Sequence, residues 1–387
     1  MTPRLAMARA QQAIGQPVDA IDTPALVIDL DAMERNLKRM AEFAKARGLK
    51  LRPHAKTHKS AELAKLQIAN GAVGVCVQKI DEALALAVQG VSDIYITNEV
   101  IDPTKLARLA KAAMTPTTRF AIAADNPLGV ERLAQALHQA GIHRPQAMNV
   151  FVEIDAGQHR CGVPHPEAAL SLVRQILQQP SLRFAGLQAY HGGAQHLRAP
   201  EQRDAALSAA ASAVRETVRT LRAGGIEVPL ITGAGTGTFV READSGLWGE
   251  LQVGSYLFMD ADYATNQRDS QAPDFEHALW IKAQVMSRSQ SHAVCDAGHK
   301  SHAIDSGLPT VAQPAHLKYA NGGDEHGLLH TTHASAELPA LGTTVWLIPG
   351  HCDPTVNLHD VYIGVRGGLS QGRIERVIAI DARGALG

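Results

Sequence analysis

Net charge is nearly absent from this sequence: 37 lysines and arginines stand against 38 aspartates and glutamates, a formal charge of −1. With no basic or acidic excess and no block of like charge, neither nucleic acid nor a membrane surface is expected as a partner. Long hydrophobic runs are also missing. The longest are strand-length, so no transmembrane helix is expected. Cysteine is scarce. Cys76, Cys161, Cys295 and Cys352 show no CxxC spacing and read as reduced thiols of a cytoplasmic protein. The N-terminus lacks the charged segment, apolar stretch and small-residue site of a secretory signal; it reads as a polar, Ala- and Gln-rich tail. No short repeat is visible.

What is present is a rhythm. From Lys50 onward, short β-rich runs alternate with helical stretches. Strands are expected to start near Lys50, Gly74, Asp93, Arg119, Asn149, Phe184, Val228 and Glu250. Between them, segments such as Ser60–Asn70, Lys79–Gln89 and Pro127–Gly141 carry Leu and Ala at helical spacing. Strand then helix, repeated, implies parallel strands with crossover helices. Eight of them match a closed (β/α)8 barrel of the TIM type, with an open doubly wound sheet as the alternative. Before the first barrel strand lie an apolar run, Ala25–Leu30, and a helix over Asp31–Arg47 with Met33, Leu37, Met40 and Ala44 on one face. Gly48 is its expected stop. After about Phe275 the helical pattern ends. Ala278–Ser287, Ala293–Asp296, Thr343–Ile348 and Arg376–Ile380 read as strands. The expected layout is an α/β chain: tail 1–24, barrel 25–270 and C-terminal β domain 271–387.

The first informative site is Leu51-Arg52-Pro53-His54-Ala55-Lys56-Thr57-His58-Lys59, where a barrel strand should end. Barrel active sites sit at that face. A lysine there, desolvated and flanked by cations, has a lowered pKa and becomes a nucleophilic amine able to condense with pyridoxal phosphate. A basic surface turn is the plainer reading, and spacing alone does not choose between Lys56 and Lys59. Thr232-Gly233-Ala234-Gly235-Thr236-Gly237-Thr238 follows a strand and can form an anion nest of backbone N–H groups. As a dinucleotide fingerprint its glycines are wrongly spaced, but a simple tight turn fits equally. Gly254-Ser255-Tyr256, ending the last barrel strand, offers further donors. Phosphate sites after strands seven and eight recur in barrels. Tyr190 ends the sixth strand and can stack on a ring or serve as core. Arg160 follows the fifth and can pair with a phenolate, a substrate carboxylate or Asp155.

Asp22-Thr23-Pro24-Ala25 together with Arg52-Pro53-His54-Ala55-Lys56-Thr57-His58-Lys59 resembles the family of D-threonine aldolases and D-serine dehydratases, which share the fold-type III, alanine-racemase-like architecture. The resemblance runs from about Asp22 to about Ile380. It implies that Lys56 carries pyridoxal 5'-phosphate, that Thr236, Gly254 and Ser255 meet its phosphate, and that Gln78 and Tyr190 surround it. Gln252 stands where alanine racemases have an arginine facing the pyridine nitrogen; a neutral amide there would not be expected to fix a protonated ring.

In Pro349-Gly350-His351-Cys352-Asp353-Pro354-Thr355, residues i and i+2 of an extended segment would point to one side. His351 and Asp353 could then converge on Mn²⁺, Mg²⁺, Ca²⁺ or Zn²⁺, with Cys352 turned away. A turn with a surface carboxylate is the alternative for so short a motif. The resemblance favours the metal, Mn²⁺ or Mg²⁺ first, and it favours an aldolase, since the dehydratases have His-x-Cys. Of the remaining histidines, His191 and His326 are the secondary site candidates. The resemblance further implies a homodimer and retro-aldol cleavage of a D-β-hydroxy-α-amino acid to glycine and an aldehyde. D-threonine and D-3-hydroxyaspartate are candidate substrates; a dehydratase, a racemase and a non-catalytic cofactor carrier are the rivals.

Overall fold

The computed structural model describes residues 3–387, with side chains from Leu5 onward. In chain order its strands are β1 (Ala25–Asp29), β2 (Lys50–Leu51), β3 (Val75–Val77), β4 (Asp93–Ile96), β5 (Arg119–Ala124), β6 (Met148–Glu153), β7 (Leu182–Ala189), β8 (Ile231–Gly233) and β9 (Glu250–Leu251). They continue with β10 (Leu279–Arg288), β11 (Ala293–Cys295), β12 (Thr310–Gln313), β13 (Leu317–Asn321), β14 (Gly327–Thr331), β15 (Thr344–Ile348), β16 (Val361–Arg366) and β17 (Arg373–Ala379).

Strands β2 to β9 form one parallel sheet in the order β2-β9-β8-β7-β6-β5-β4-β3. Its two ends meet. Ala55 N donates to Cys76 O at 2.7 Å, Cys76 N to Pro53 O at 2.8 Å and Val73 N to Leu51 O at 2.8 Å, so the barrel closes and the open-sheet alternative falls. Helices at Ala61–Ala69, Ile80–Val88 and Pro127–Gln139 lie where their apolar spacing put them. Inside, Cys76, Tyr95, Ala121, Ala123, Phe151 and Ala185 make an apolar plug. Below it Arg52 is held between Asp93, at 2.5 Å, and Glu250, at 3.1 Å. The apolar plug separates this bottom end from a second polar space, which faces the C-terminal ends of the strands.

The domain boundary at residue 25 does not hold for the first strand. β1 lies in the second sheet, antiparallel to β10 and parallel to β16. That sheet runs β13-β14-β11-β10-β1-β16-β17, with β15 pairing both β10 and β12. β1 carries four fully buried residues in succession, which suits a central strand covered on both faces. The helix after it spans Leu30–Ala46, capped by Asp29, whose Oδ1 accepts from Ala32 N at 3.1 Å. Gly48 has a φ of +66° at its end. The end of the segment read as a polar tail is tied to the second sheet. Lys282 is buried and donates to the carbonyls of Val18, Asp19 and Ile21 at 3.1, 3.0 and 2.8 Å. Strands β12, β13, β14 and β16 escaped the sequence reading; they are short and lack strict alternation.

Between β6 and β7 the register slips by one residue, so that Val150 faces Phe184 and Phe151 faces Gly186. Gly186 has a φ of +140°, and a Cβ on it would sit 1.9 Å from Leu230 O. Gly186→Ala should therefore destabilise the barrel by about 2 kcal/mol or more through strain and overpacking; an unchanged urea midpoint would contradict this.

Candidate active site

The polar end of the barrel holds a cavity of about 240 Å³. Its wall brings together Lys56, Gln78, Arg160, Tyr190, Thr236, Gly254 and Ser255, residues spread over 200 positions of sequence. The chain after β2 explains how Lys56 gets there. His54 stays in register with Cys76, and the next residues turn over the barrel rim. Here the two lysines part. Lys59, with a φ of +52°, points away and is buried against Glu82 at 2.5 Å, and its N–H bonds back to Ala55 O. Lys56 faces the cavity. The turn is clamped by the second domain: Tyr362 OH donates to His58 O at 2.6 Å, and Ala61 N donates to Asp381 Oδ2 at 2.7 Å.

The Lys56 ammonium is paired with the Asp353 carboxylate, which comes from the second domain. Enclosure alone would lower the lysine's pKa, but Asp353, with Tyr190 beside it, outweighs enclosure and leaves it raised. Burial pushes the Asp353 carboxyl up; the Lys56 charge then overrides that and holds it at about 2. The expected lowering of the lysine's pKa is thus reversed in this state by one carboxylate.

That carboxylate is not on an extended segment, as the spacing suggested. Cys352–Val356 is a short helix entered from an extended His351, and Cys352 N donates to the buried Asp260 at 3.0 Å. Cys352 does turn away, into the core. Asp353 Oδ1 is buried without a hydrogen-bond partner among the described residues. His351 Nδ1 pairs with Asp305 Oδ2 at 2.7 Å, and its Nε2 makes no hydrogen bond among the described residues. Gly350 lets that loop approach, since a Cβ there would lie 2.2 Å from Gly307 O. No local pattern marks Asp305, which is 46 residues from its partner.

On the opposite wall, the N–H groups of Gly235, Thr236 and Ser255 find no acceptor among the described residues. Ala234, at φ +71°, turns the loop. Glycines keep it tight: a Cβ at Gly235 would meet Gln195 at 2.4 Å, and one at Gly254 would meet Thr57 Oγ1 at 2.6 Å. Converging N–H groups of this kind suit a phosphate. The Arg160 guanidinium carbon lies 6.0 Å from the Tyr190 ring centre. Asp155 does not pair with it, being occupied by His159 Nδ1 at 2.6 Å. His191 lies beside the loop at Gly157, its Nδ1 accepting from Ala194 N, and His326 is exposed in the second domain; neither lines the cavity.

The floor was harder to foresee. His54 Nε2 bonds Thr97 Oγ1 at 3.0 Å and Gln78 Nε2 at 3.2 Å. Gln188 and Gln252 complete the floor, and Tyr263 joins the wall. Nearby, ligand atoms of Glu99, Asp125 and Cys161 lie within 4.8 Å of one another. Burial, and then the Glu99 carboxylate, push Glu153 up to about 9.

A closed barrel with a lysine at its C-terminal mouth, a phosphate-type nest across from it and a β domain behind it defines the class of fold-type III pyridoxal-phosphate enzymes. The chain belongs to the alanine racemase family: the model for the alanine racemase N-terminal domain matches residues 28–262. That for a putative serine dehydratase domain matches residues 278–365. The chain is 42% identical to the 3-hydroxy-D-aspartate aldolase of Paracoccus denitrificans (strain Pd 1222), over 96% of this chain and 94% of the relative. It is 41% identical to a D-threonine aldolase of an Arthrobacter species, over 96% and 95%. The crystal structure of D-threonine aldolase from Filomicrobium marinum superposes with a TM-score of 0.92 at 44% identity, covering 97% of this chain and 99% of that one.

Burial, and then the Lys56 charge, hold His54 well below the ordinary histidine range; burial brings His58 to about 4. Both are depressed relative to an unfolded value near 6.5, so the unfolded chain binds the extra protons. Their stabilisation is complete above pH 6.5 and is lost as pH falls toward 4. For His58 alone this is about 3 kcal/mol by pH 4. Urea unfolding across this range should show the loss, and His58→Asn should flatten it. Asp353, at about 2, would instead act only below its own unfolded value, so a loss confined to still lower pH would refute the assignment.

Proposed function

We propose that the protein is a pyridoxal-phosphate- and divalent-metal-dependent aldolase that cleaves D-β-hydroxy-α-amino acids of the D-threonine type to glycine and an aldehyde. The observation that carries this reading is the meeting of Lys56 and Asp353 across the domain boundary. It brings the Lys56 amine and a carboxylate with a spare, buried oxygen to one point.

The cofactor would be held by Lys56, by the nest of Gly235, Thr236, Gly254 and Ser255, and by Gln78, Arg160 and Tyr190 on the walls. When bound it draws off the electron pair of the breaking bond. Lys56 would supply the amine that holds it. Arg160, which pairs with no carboxylate among the described residues, offers its guanidinium to an anionic oxygen in the cavity. Tyr190 covers one side; burial keeps its phenol protonated by raising its pKa.

His351 and Asp353 suit a hard divalent ion, Mn²⁺ or Mg²⁺ first. The chemistry of the donor set supports this: a histidine with one ring nitrogen fixed on Asp305 and the other free, beside an orphaned carboxylate oxygen. Such an ion would polarise the substrate's β-oxygen and lower the pKa of a group on it. In the balanced reaction a base takes the β-hydroxyl proton, the Cα–Cβ bond breaks, the aldehyde leaves and Cα gains a proton to give glycine.

A second reading is favoured by the relative that acts on 3-hydroxy-D-aspartate, which is as similar as the D-threonine aldolase. There the aldehyde would be glyoxylate. A dehydratase on this scaffold is the further rival, the D-threo-3-hydroxyaspartate dehydratase of Delftia sp. (strain HT23) being 29% identical. A cytoplasmic homodimer, without nucleic-acid or membrane partner, is part of the proposal; no helix among the described residues is long and apolar enough to cross a membrane.

Purified protein given D-threonine should yield glycine and acetaldehyde; 2-oxobutanoate and ammonia would identify a dehydratase instead. Lys56→Ala should abolish the visible absorbance of bound cofactor, and retention of that absorbance would refute the lysine assignment. A chelator, or Asp353→Ala, should cut turnover by about a hundredfold or more while the cofactor stays bound. Full turnover in the chelated enzyme would remove the metal from the proposal.

A further inference from the structure

The floor of the cavity carries a polar group whose role is dictated from beneath. Gln252 is only 4% exposed and reaches the cavity from the end of β9. Its amide nitrogen has two hydrogens, and both are used. One goes to Thr232 Oγ1 at 2.7 Å, the other to Gln188 Oε1 at 3.2 Å.

Neither acceptor can exchange its role. Thr232 has a single hydroxyl hydrogen, given to Glu250 Oε1 at 2.8 Å. The other oxygen of Glu250 takes Arg52 Nε at 3.1 Å, which keeps that group a carboxylate. Gln188 is fixed independently. Its Nε2 faces the backbone carbonyl of Thr97 at 3.5 Å and Glu153 Oε2 at 3.2 Å. A carbonyl only accepts, so Gln188 Oε1 is the atom turned to Tyr95 OH, at 2.7 Å, and to Gln252. Reversing the Gln252 amide would set oxygen against two oxygens, neither with a hydrogen to offer, inside a closed barrel. What Gln252 has left for the cavity is Oε1, which has no partner among the described residues.

We propose that Gln252 is an acceptor-only contact that holds the pyridine nitrogen of the cofactor in its protonated form. The inference rests on the pyridoxal-phosphate reading of the cavity. The aldehyde carbon is tied to Lys56 and the phosphate arm to the Thr236 and Ser255 nest, and the ring nitrogen lies para to the aldehyde carbon. Around the ring, the methyl group makes no hydrogen bond and an ionised phenol only accepts. The nitrogen is the ring atom that can carry a hydrogen to Oε1. An arginine in this place would offer donors alone and require a bare nitrogen. The neutral amide, read from sequence as unable to fix a protonated ring, becomes a directed acceptor once both its hydrogens are committed.

The test uses wild-type enzyme loaded with ring-¹⁵N-labelled pyridoxal phosphate. Its nitrogen resonance should lie in the protonated range at neutral pH and above, and an unprotonated resonance overturns the proposal. A binding measurement stands beside it. The analogue with CH in place of the ring nitrogen should bind wild type about tenfold more weakly than pyridoxal phosphate, or worse, and Gln252→Leu should bring the two close to equal. Equal affinities in wild type also overturn the proposal. If pyridoxal phosphate itself does not load onto Lys56, the cofactor reading fails and takes this inference with it. Loading with a bare nitrogen sinks the inference alone.

Discussion

A lysine facing an enclosed cavity needs a counter-charge, and in this protein the counter-charge comes from the other domain. Asp353 cannot reach Lys56 unless the second sheet is docked on the barrel mouth. Much else follows from that requirement. Tyr362 and Asp381 grip the turn that presents the lysine, and Asp260 caps the short helix that carries Asp353. The barrel supplies the cavity, but the cavity's electrostatics belong to both domains at once.

The polar floor obeys a different rule. In the closely packed middle of a barrel an unpaired donor is costly, so each polar side chain constrains its neighbour. Arg52 fixes Glu250, Glu250 fixes Thr232, and Thr232 helps fix Gln252. Glu153, driven toward its protonated form by burial and by Glu99, is part of the same fabric through Gln188. Electrostatic preorganisation of this sort costs nothing at the moment of reaction, because the dipoles are already aligned.

Much of this was legible in the residues themselves. The strand–helix rhythm from Lys50 on announced a parallel barrel because each element is short, buried and bounded by turn residues, so local pattern and global fold agree. The lysine run and the glycine turn were visible for the same reason: special chemistry and special backbone leave compositional marks. What escaped was long-range. β1 reads as a buried strand wherever it is placed, so its sequence could not say which sheet would take it. Asp305 and Asp381 are single polar residues in turns and Tyr263 sits in a four-residue helix, and what Asp305 and Asp381 hold lies 46 and 320 residues away. His351 and Asp353 were paired by their spacing, but on the wrong local geometry, because five residues with a proline are too few to declare a helical turn.

The placement of β1 bears on how the molecule comes into being. It leaves the ribosome well before its neighbours β10 and β16, which lie some 250 and 330 residues further on. Through most of translation it is a strand with no sheet, an apolar stretch that must be kept from foreign partners while the barrel assembles downstream. The second domain is therefore completed by a strand made before the barrel, and a nascent chain halted after the barrel holds a strand meant for a sheet that does not yet exist.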